Sequence, residues 1–178
     1  VQRPPPARIE LTSSDAARHP IPETRSETRP MKPAKILLTT DLSQEAERAF
    51  APAVDLAKTF GASLCVLNVV EDLPITPHGA PLAPPVHSPG LEQEQLDARK
   101  RLDEQTKIID ETGVPYEKAV IAAPQVAQAV VDYADEHDCD LIALSSHGRS
   151  GFKRFFMGSV AELILRHAHV PVLVFPKQ

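Results

Sequence analysis

The chain has 178 residues, of which 42% are apolar and 24% are charged, and its formal net charge at pH 7 is −5. This length suits one domain with a hydrophobic core plus appendages, and the composition is that of an ordinary soluble globular protein. The acidic balance argues against a general nucleic-acid binder, and no stretch approaches the roughly 18 apolar residues of a membrane span. Because the amino-terminal segment shows no charged-then-apolar signal pattern, we expect a cytoplasmic location without membrane association.

Residues 1–30 are rich in proline, serine, threonine and charge, and they show no apolar periodicity. Such a segment cannot bury enough apolar surface to offset the entropy lost on ordering. We therefore expect a disordered or loosely attached tail at residues 1–30 and one organised domain at residues 31–178.

The organised part begins with the short apolar run Lys35–Thr40, which is typical of a strand buried on both faces. Apolar residues then recur at spacings of three and four over Gln44–Phe60, which indicates a helix with one buried face. Ser43 suits the N-cap of this helix and Gly61 suits its carboxyl end. Pro52 falls inside the pattern, and an interior proline costs about 3 kcal/mol and bends a helix. We therefore expect one kinked helix.

Strands and helices alternate along the rest of the chain. The further predicted strands are Ser63–Val70, Tyr116–Ile121, Asp140–Ser146 and Val170–Pro176. The further predicted helices are Leu91–Thr112, a helix opened by Pro124, and Ser159–Ala168. Short apolar strands that alternate with helices predict a parallel sheet covered on both faces. Between the second strand and the long helix, the proline-rich stretch 71–90 predicts a long loop that is either functional or disordered.

The pattern also predicts which helix faces are buried. In the long helix the apolar stripe is Leu91, Ala98, Leu102 and Ile109. In the helix after Pro124 the expected face is Val126, Ala129, Val130, Tyr133 and Ala134. In the last helix it is Val160, Leu163, Ile164 and His167. Each set follows the three-to-four residue spacing of one helical face.

The two cysteines, Cys65 and Cys139, are too few for a disulfide framework, and their spacing matches no zinc or redox motif. We expect two buried thiols in a reducing compartment. The histidine spacing gives no metal site either. The sequence thus predicts no metal ligand and no catalytic residue, and His147 is interpreted as structural or pocket-lining.

A glycine-rich segment joins the fourth predicted strand to the last helix. Glycine lets backbone N–H groups approach a ligand closely, and a helix N-terminus adds unpaired N–H donors and a partial positive charge. Gly158 and Ser159, directly before the last helix, combine both features. Three cations lie in the same segment: Arg149, Lys153 and Arg154. The combination suits a phosphate, although the spacing gives neither a Walker A loop nor a Rossmann fingerprint.

A purely structural interpretation of this segment is also open. Ser159 and Glu162 fit the capping box, in which the two side chains satisfy backbone donors at a helix start. Gly148 and Gly151 would then only shape a turn. The residues by themselves leave both interpretations standing.

Three stretches together resemble the universal stress protein family: "KILLTTDLS" near the start, "SSHGRSGFKRFFMGS", and "HVPVLVFP" at the end. The resemblance spans Lys35–Pro176. Members of the family that bind ATP carry a glycine, two residues, a glycine, nine residues, a glycine and then a serine or threonine. Gly148, Gly158 and Ser159 match the later positions of this motif, whereas Ser145 stands where the first glycine is expected.

The resemblance implies an α/β fold: a three-layer α/β/α sandwich, Rossmann-like and adenine nucleotide alpha hydrolase-like, with a five-stranded parallel sheet in the order 3-2-1-4-5. It implies that ATP, or AMP or ADP, is bound, with Mg²⁺ held through the phosphates. The residues implied at the adenine are Asp41 and Val69, with Thr39 and Thr40 lining the base pocket. Those implied at the ribose are Leu144 and Ser145, and those at the phosphates are Gly148, Gly158, Ser159 and Val160.

Alternatives remain for both residues and function. Asp41 also suits a strand-end or N-cap carboxylate, and Val69 also suits core packing.

The first functional hypothesis is a nucleotide-binding regulatory module of the stress response, with at most slow hydrolysis because no general base can be placed beside a water-positioning group. The second is a dimeric interaction protein that binds no nucleotide, which Ser145 favours. The resemblance also implies a homodimer through the last strand, Val170–Phe175, an apolar edge strand suited to pairing.

Overall fold

The computed structural model describes residues 32–74, 87–146 and 157–176. The chain divides into two units, Val1–Pro30 and Met31–Gln178. The predicted amino-terminal tail lies outside the described residues, as do His147, Gly148 and most of the proline-rich stretch. The fold described below belongs to the second unit.

Within these ranges, five strands and five helices follow one another along the chain. The strands are β1 Lys35–Thr39, β2 Ser63–Glu71, β3 Tyr116–Ala123, β4 Leu141–Ser145 and β5 Val172–Phe175. The helices are α1 Gln44–Glu47, α2 Phe50–Phe60, α3 Leu91–Asp110, α4 Val126–Glu136 and α5 Ser159–His167. All strand pairs are parallel, and the sheet order is β3-β2-β1-β4-β5. The predicted fold class and strand order are confirmed.

The sheet has a hydrophobic core on each face, because successive side chains of a strand point to opposite sides. Ile36 and Leu38 of the central strand β1 pack into a cluster with residues of α2 and α3. Leu37, between them, packs into a second cluster with residues of α4 and α5. The sheet is therefore the middle of three layers, as predicted.

The predicted kinked helix is instead two helices, α1 and α2, separated by two residues. Pro52 lies in the first turn of α2, where a backbone N–H would have no intrahelical acceptor, so the proline breaks no helical hydrogen bond there. The predicted caps are confirmed. Ser43 Oγ accepts from Ala46 N–H at 3.1 Å, and Gly61 ends α2 in the left-handed region with φ 68°.

The predicted apolar stripe of α3 is buried throughout, and Thr106 is buried with it. The α4 face is only partly as predicted. Val130 and Ala134 are buried, whereas Val126, Ala129 and Tyr133 are half-buried. The helix starts at Val126, two residues after Pro124, and its other buried positions are Ala127 and Val131.

The predicted inner face of α5 is largely wrong. Ile164 is buried, but Val160 and Leu163 are 41% and 45% exposed and His167 is exposed as well. Ala161 is buried with Ile164, and both belong to the core cluster that includes α4. Because α5 carries apolar residues around much of its circumference, periodicity did not select the face that packs on α4.

Cys65 and Cys139 are both buried thiols, as predicted. Burial raises the pKa of the Cys139 thiol to about 11 and raises that of Cys65 as well. The thiolate is the reactive form of cysteine, so burial disfavours reaction at both groups. Among the described residues, no helix combines the length and apolar composition that crossing a bilayer requires.

Candidate functional site

A cleft of about 280 Å³ lies at the carboxyl ends of β1 and β4. From β1 the chain passes to β2 and β3 on one side, and later to β4 and β5 on the other side. The cleft therefore lies where the strand order reverses, which is where open α/β sheets bind their ligands.

Nine of the ten residues expected to form a site line this cleft: Thr39, Thr40, Asp41, Val69, Leu144, Ser145, Gly158, Ser159 and Val160. The tenth, Gly148, lies outside the described residues. The lining also includes residues that the sequence interpretation missed: Ala46, Val126, Ser146, Ala161 and Ile164. Ser146 and Val126 follow the carboxyl ends of β4 and β3, so the rule that ligands bind beyond strand ends could have indicated both.

One wall of the cleft is the turn that follows β1, Thr40–Ser43. Leu42 N–H donates to Thr40 Oγ1 at 3.0 Å. The Asp41 carboxylate accepts from Ser43 N–H at 3.0 Å and from Ser43 Oγ at 2.6 Å. Asn68 of β2 donates its side-chain N–H to Thr40 O at 2.8 Å. Asp41 thus fills the strand-end role foreseen for it while it lines the cleft, and Ser43 rather than Asp41 caps α1.

Two side chains of helix α3 form hydrogen bonds with the same turn. Arg101 donates to Leu42 O at 2.7 Å. Gln105 uses both ends of its amide, since Oε1 accepts from Thr40 Oγ1 at 3.0 Å and Nε2 donates to Ser43 O at 3.2 Å. These bonds fix the backbone of the turn relative to a long helix that is itself packed on the sheet.

The start of α5 forms another wall. Its N-cap is Gly158, which has no side chain to accept a hydrogen bond, and Gly158 N–H donates to Ser146 O at 3.0 Å. The first-turn N–H groups, those of Ser159, Val160 and Ala161, have no acceptor within the helix. Together with the helix dipole, these donors favour an anion at this place in the cleft.

The structure contradicts the alternative interpretation of this segment as a capping box. Ser159 is the first residue of α5 rather than its N-cap. Glu162 pairs with Arg166 one turn along the helix at 2.9 Å, instead of reaching back to the helix start. Within the described part of the chain, no side chain caps α5.

Residues 33–176 match the profile of the family described as "Universal stress protein family". The chain belongs to the universal stress protein family. A relative in this family, universal stress protein MJ0531 of Methanocaldococcus jannaschii, is 32% identical over 143 residues, which cover 80% of this chain and 82% of the relative.

Solved structures of universal stress proteins share the fold. UspA from Lactobacillus plantarum superposes with a TM-score of 0.67 at 25% identity and covers 80% of this chain and 97% of its own. A universal stress protein in complex with cAMP has a TM-score of 0.60 at 19% identity, covering 82% and 98%. The Archaeoglobus fulgidus universal stress protein in complex with dAMP has a TM-score of 0.57 at 24% identity, covering 79% and 95%.

Ser145, which the sequence analysis places at the first glycine position of the family's ATP-binding motif, is the last residue of β4. It is half-buried, lines the cleft and pairs in register with Phe175 of β5. The preceding Leu144 is buried. Val69 of β2 lines the cleft and also packs against the second core cluster, so the core-packing role foreseen as its alternative is confirmed.

A polar contact joins the residue that follows β2 to the residues that precede α3. The buried carboxylate of Asp72 accepts from Ser88 N–H and Ser88 Oγ, each at 3.0 Å, and contacts His87 Nδ1 at 2.5 Å. The bonds from Ser88, followed by the contact with His87, hold the pKa of Asp72 below its ordinary value. In the described ranges, no three His, Cys, Asp or Glu side chains converge into a group that could bind a metal ion.

Proposed function

We propose that this cleft binds ATP, or a related adenine nucleotide such as AMP or ADP, and that the chain acts as a regulatory module of the stress response. The observation that carries the proposal is the uncapped start of α5, which lies in the same cleft as the Asp41 turn at the point where the strand order reverses. The complexes of family members with cAMP and dAMP support an adenine nucleotide as the ligand.

The residues present fit such a ligand. The first-turn N–H groups of α5 suit phosphate oxygens, and the hydroxyl of Ser159 adds a donor there. Val69 offers an apolar surface and the Asp41 carboxylate an acceptor, which suit the ring and the amino group of adenine. Leu144 and Ser145 would then meet the ribose. We propose that Gly148 joins the phosphate site from the adjoining loop.

We propose that Mg²⁺ arrives with the nucleotide and is held mainly by phosphate oxygens and water, as is usual for this ion. Hydrolysis is slow at most. Among the described residues lining the cleft, the only carboxylate is that of Asp41, and it already accepts two hydrogen bonds from Ser43. A turnover of about 1 s⁻¹ or more, the ordinary enzyme range, would contradict this part of the proposal.

The direct test is to purify the chain, denature it and assay the supernatant for nucleotide, then titrate the apo protein with ATP by calorimetry. We expect an adenine nucleotide in the supernatant or a saturable signal with ATP. The absence of both would reject the proposal. It would favour the second candidate, an interaction protein of the stress response that binds no nucleotide, for which Ser145 at the first motif position is the supporting observation.

We further propose a cytoplasmic homodimer that pairs through the last strand, within Val170–Phe175. Among the described strands, β5 lies at the edge of the sheet with β4 as its neighbour, and its four residues are half-buried and apolar. An apolar edge strand is a template for pairing with a second copy. Light scattering at micromolar concentration should give twice the chain mass, whereas a monomer would contradict this assembly.

A further inference from the structure

We infer that Gln105 and Arg101 of α3 are positioning residues that set the base specificity of the cleft. The inference rests on the proposed nucleotide binding and deepens it. Neither side chain belongs to the described lining of the cleft; both act on the turn that carries Asp41.

Gln105 connects the two ends of that turn. Its Oε1 accepts from Thr40 Oγ1 at 3.0 Å and its Nε2 donates to Ser43 O at 3.2 Å. Asp41 lies between the two bonded residues. Since both partners are more than sixty positions away in the sequence, this contact ties α3 to the turn rather than completing a local motif.

Arg101, one helical turn before Gln105, holds the centre of the turn by donating to Leu42 O at 2.7 Å. Leu42 has φ 63°, a conformation that leucine rarely adopts. Its N–H is bonded to Thr40 Oγ1 and its side chain is buried. Such a backbone conformation persists only where several surrounding contacts hold it in place. Strained positions of this kind cluster at ligand-binding sites.

A fixed carboxylate discriminates between purine bases. Adenine carries an amino group, a hydrogen-bond donor, at the position where guanine carries a carbonyl oxygen. An Asp41 carboxylate that the turn holds in place accepts a hydrogen bond from the adenine amino group and repels the guanine carbonyl oxygen. A carboxylate on a loosened turn can rotate away from the carbonyl, so the discrimination depends on the bonds that hold the turn.

The test compares ATP and GTP binding to the full chain by calorimetry. Gln105→Ala and Arg101→Met should each weaken ATP binding about three- to tenfold, the range expected for one or two lost hydrogen bonds. GTP binding should stay unchanged or become slightly stronger, because the loosened carboxylate can turn away from the guanine carbonyl.

Two residues on the same helix provide matched controls. Gln93 is exposed and bonds Asp97 within α3 at 3.0 Å. Arg99 is exposed, and its side chain forms no hydrogen bond or ion pair with the part of the chain that the structure describes. Gln93→Ala and Arg99→Met should both keep the parent ratio of ATP to GTP affinity. Thermal unfolding of every variant checks that the fold is kept.

The possible outcomes separate the two proposals. A parent chain that binds neither nucleotide overturns the proposed function and the role of α3 with it. A parent that prefers ATP, with an unchanged ratio in both α3 variants, overturns only the inference. An equal loss for ATP and GTP also overturns it, because it would show a merely structural role. If Gln105→Ala fails to fold, the exposed Arg101→Met decides between these outcomes.

Discussion

The two walls of the cleft are stabilised in opposite ways. In the Thr40–Ser43 turn, the carbonyls of Thr40, Leu42 and Ser43 each accept from a side chain of another element. At the start of α5, the first-turn N–H groups are left without an intrahelical acceptor or a side-chain cap within the described part of the chain. The backbone carbonyls of the first wall therefore have hydrogen-bond partners within the protein, whereas the N–H groups of the second wall are suited to bind an anion.

Because of this difference, we expect one wall to govern affinity and the other to govern base selectivity. Backbone donors and a helix dipole attract any phosphate, irrespective of the base that the nucleotide carries. A rigid turn with a carboxylate presents one acceptor in one position, so it selects among bases. We therefore expect changes at α5 to alter affinity for all nucleotides and changes at the turn to alter selectivity.

The largest effect is expected from Gly158→Asp. The new carboxylate lies at the N-cap of α5, accepts from the first-turn N–H groups and repels phosphate. Because like-charge juxtaposition costs several kcal/mol, ATP and GTP should both bind at least about 100-fold more weakly by calorimetry. The urea midpoint should equal or exceed that of the parent, since aspartate is a better N-cap than glycine.

Gly158→Ala is the control for this variant. A Cβ at this position would meet Ser146 O at 3.7 Å, which is an ordinary contact, and Gly158 has φ −61°, which alanine readily adopts. This variant should fold and should lose far less affinity than Gly158→Asp. If Gly158→Asp binds ATP as well as the parent does, the phosphate is not at the start of α5.

Thr40→Val should have the next largest effect, on stability and selectivity together. The change keeps the shape of the side chain but removes the acceptor of Leu42 N–H and the donor to Gln105. Leaving buried polar groups unpaired costs about 1–3 kcal/mol, so the free energy of unfolding in urea should fall by that amount. The ratio of ATP to GTP affinity should fall as well.

Thr39→Val provides the matched comparison for stability. Thr39 is half-buried, and its hydroxyl forms no hydrogen bond with the residues that the structure describes. We expect its unfolding free energy to stay within about 0.5 kcal/mol of the parent. Equal losses in the two threonine variants would show that the bonds of the turn do not stabilise the wall.

The smallest effect is expected at Asp72, where β2 is joined to the start of α3. Its pKa is lowered in the folded state by the bonds from Ser88 and by the contact with His87. A lowered pKa stabilises the fold above the unfolded-state value and loses that contribution as the pH falls through the folded value. Below the ordinary aspartate value of 3.8, the difference in urea midpoint between the parent and Asp72→Asn should therefore shrink.

Asp72→Asn should change nucleotide binding little, because it acts at the start of α3, far from Gln105. At a rise of 1.5 Å per residue, the two points are about 20 Å apart along the helix. We expect the ATP to GTP ratio to stay within about twofold of the parent at pH 7. A midpoint difference that does not change between pH 7 and pH 3 would contradict the stabilising role of the Asp72 carboxylate.

Local patterns predicted the elements well because the interactions behind them are local. The Ser43 cap, the Gly61 helix end and the stripe of α3 each depend on residues within a few positions. The sequence also predicted most of the residues that line the cleft, because the ends of β1 and β4 and the start of α5 follow from the order of the elements. Their role in binding a nucleotide stays a prediction, as does the assembly through β5.

Only the tertiary structure decided the face of α5 and the support of the cleft. Ala161 and Ile164 are buried and Leu163 is exposed because α4 covers one side of a helix that is apolar around much of its circumference. The contacts of Gln105 join positions more than sixty residues apart. Chain order and periodicity determine which elements form and in what order, whereas the packing of one finished element on another determines which polar side chains meet.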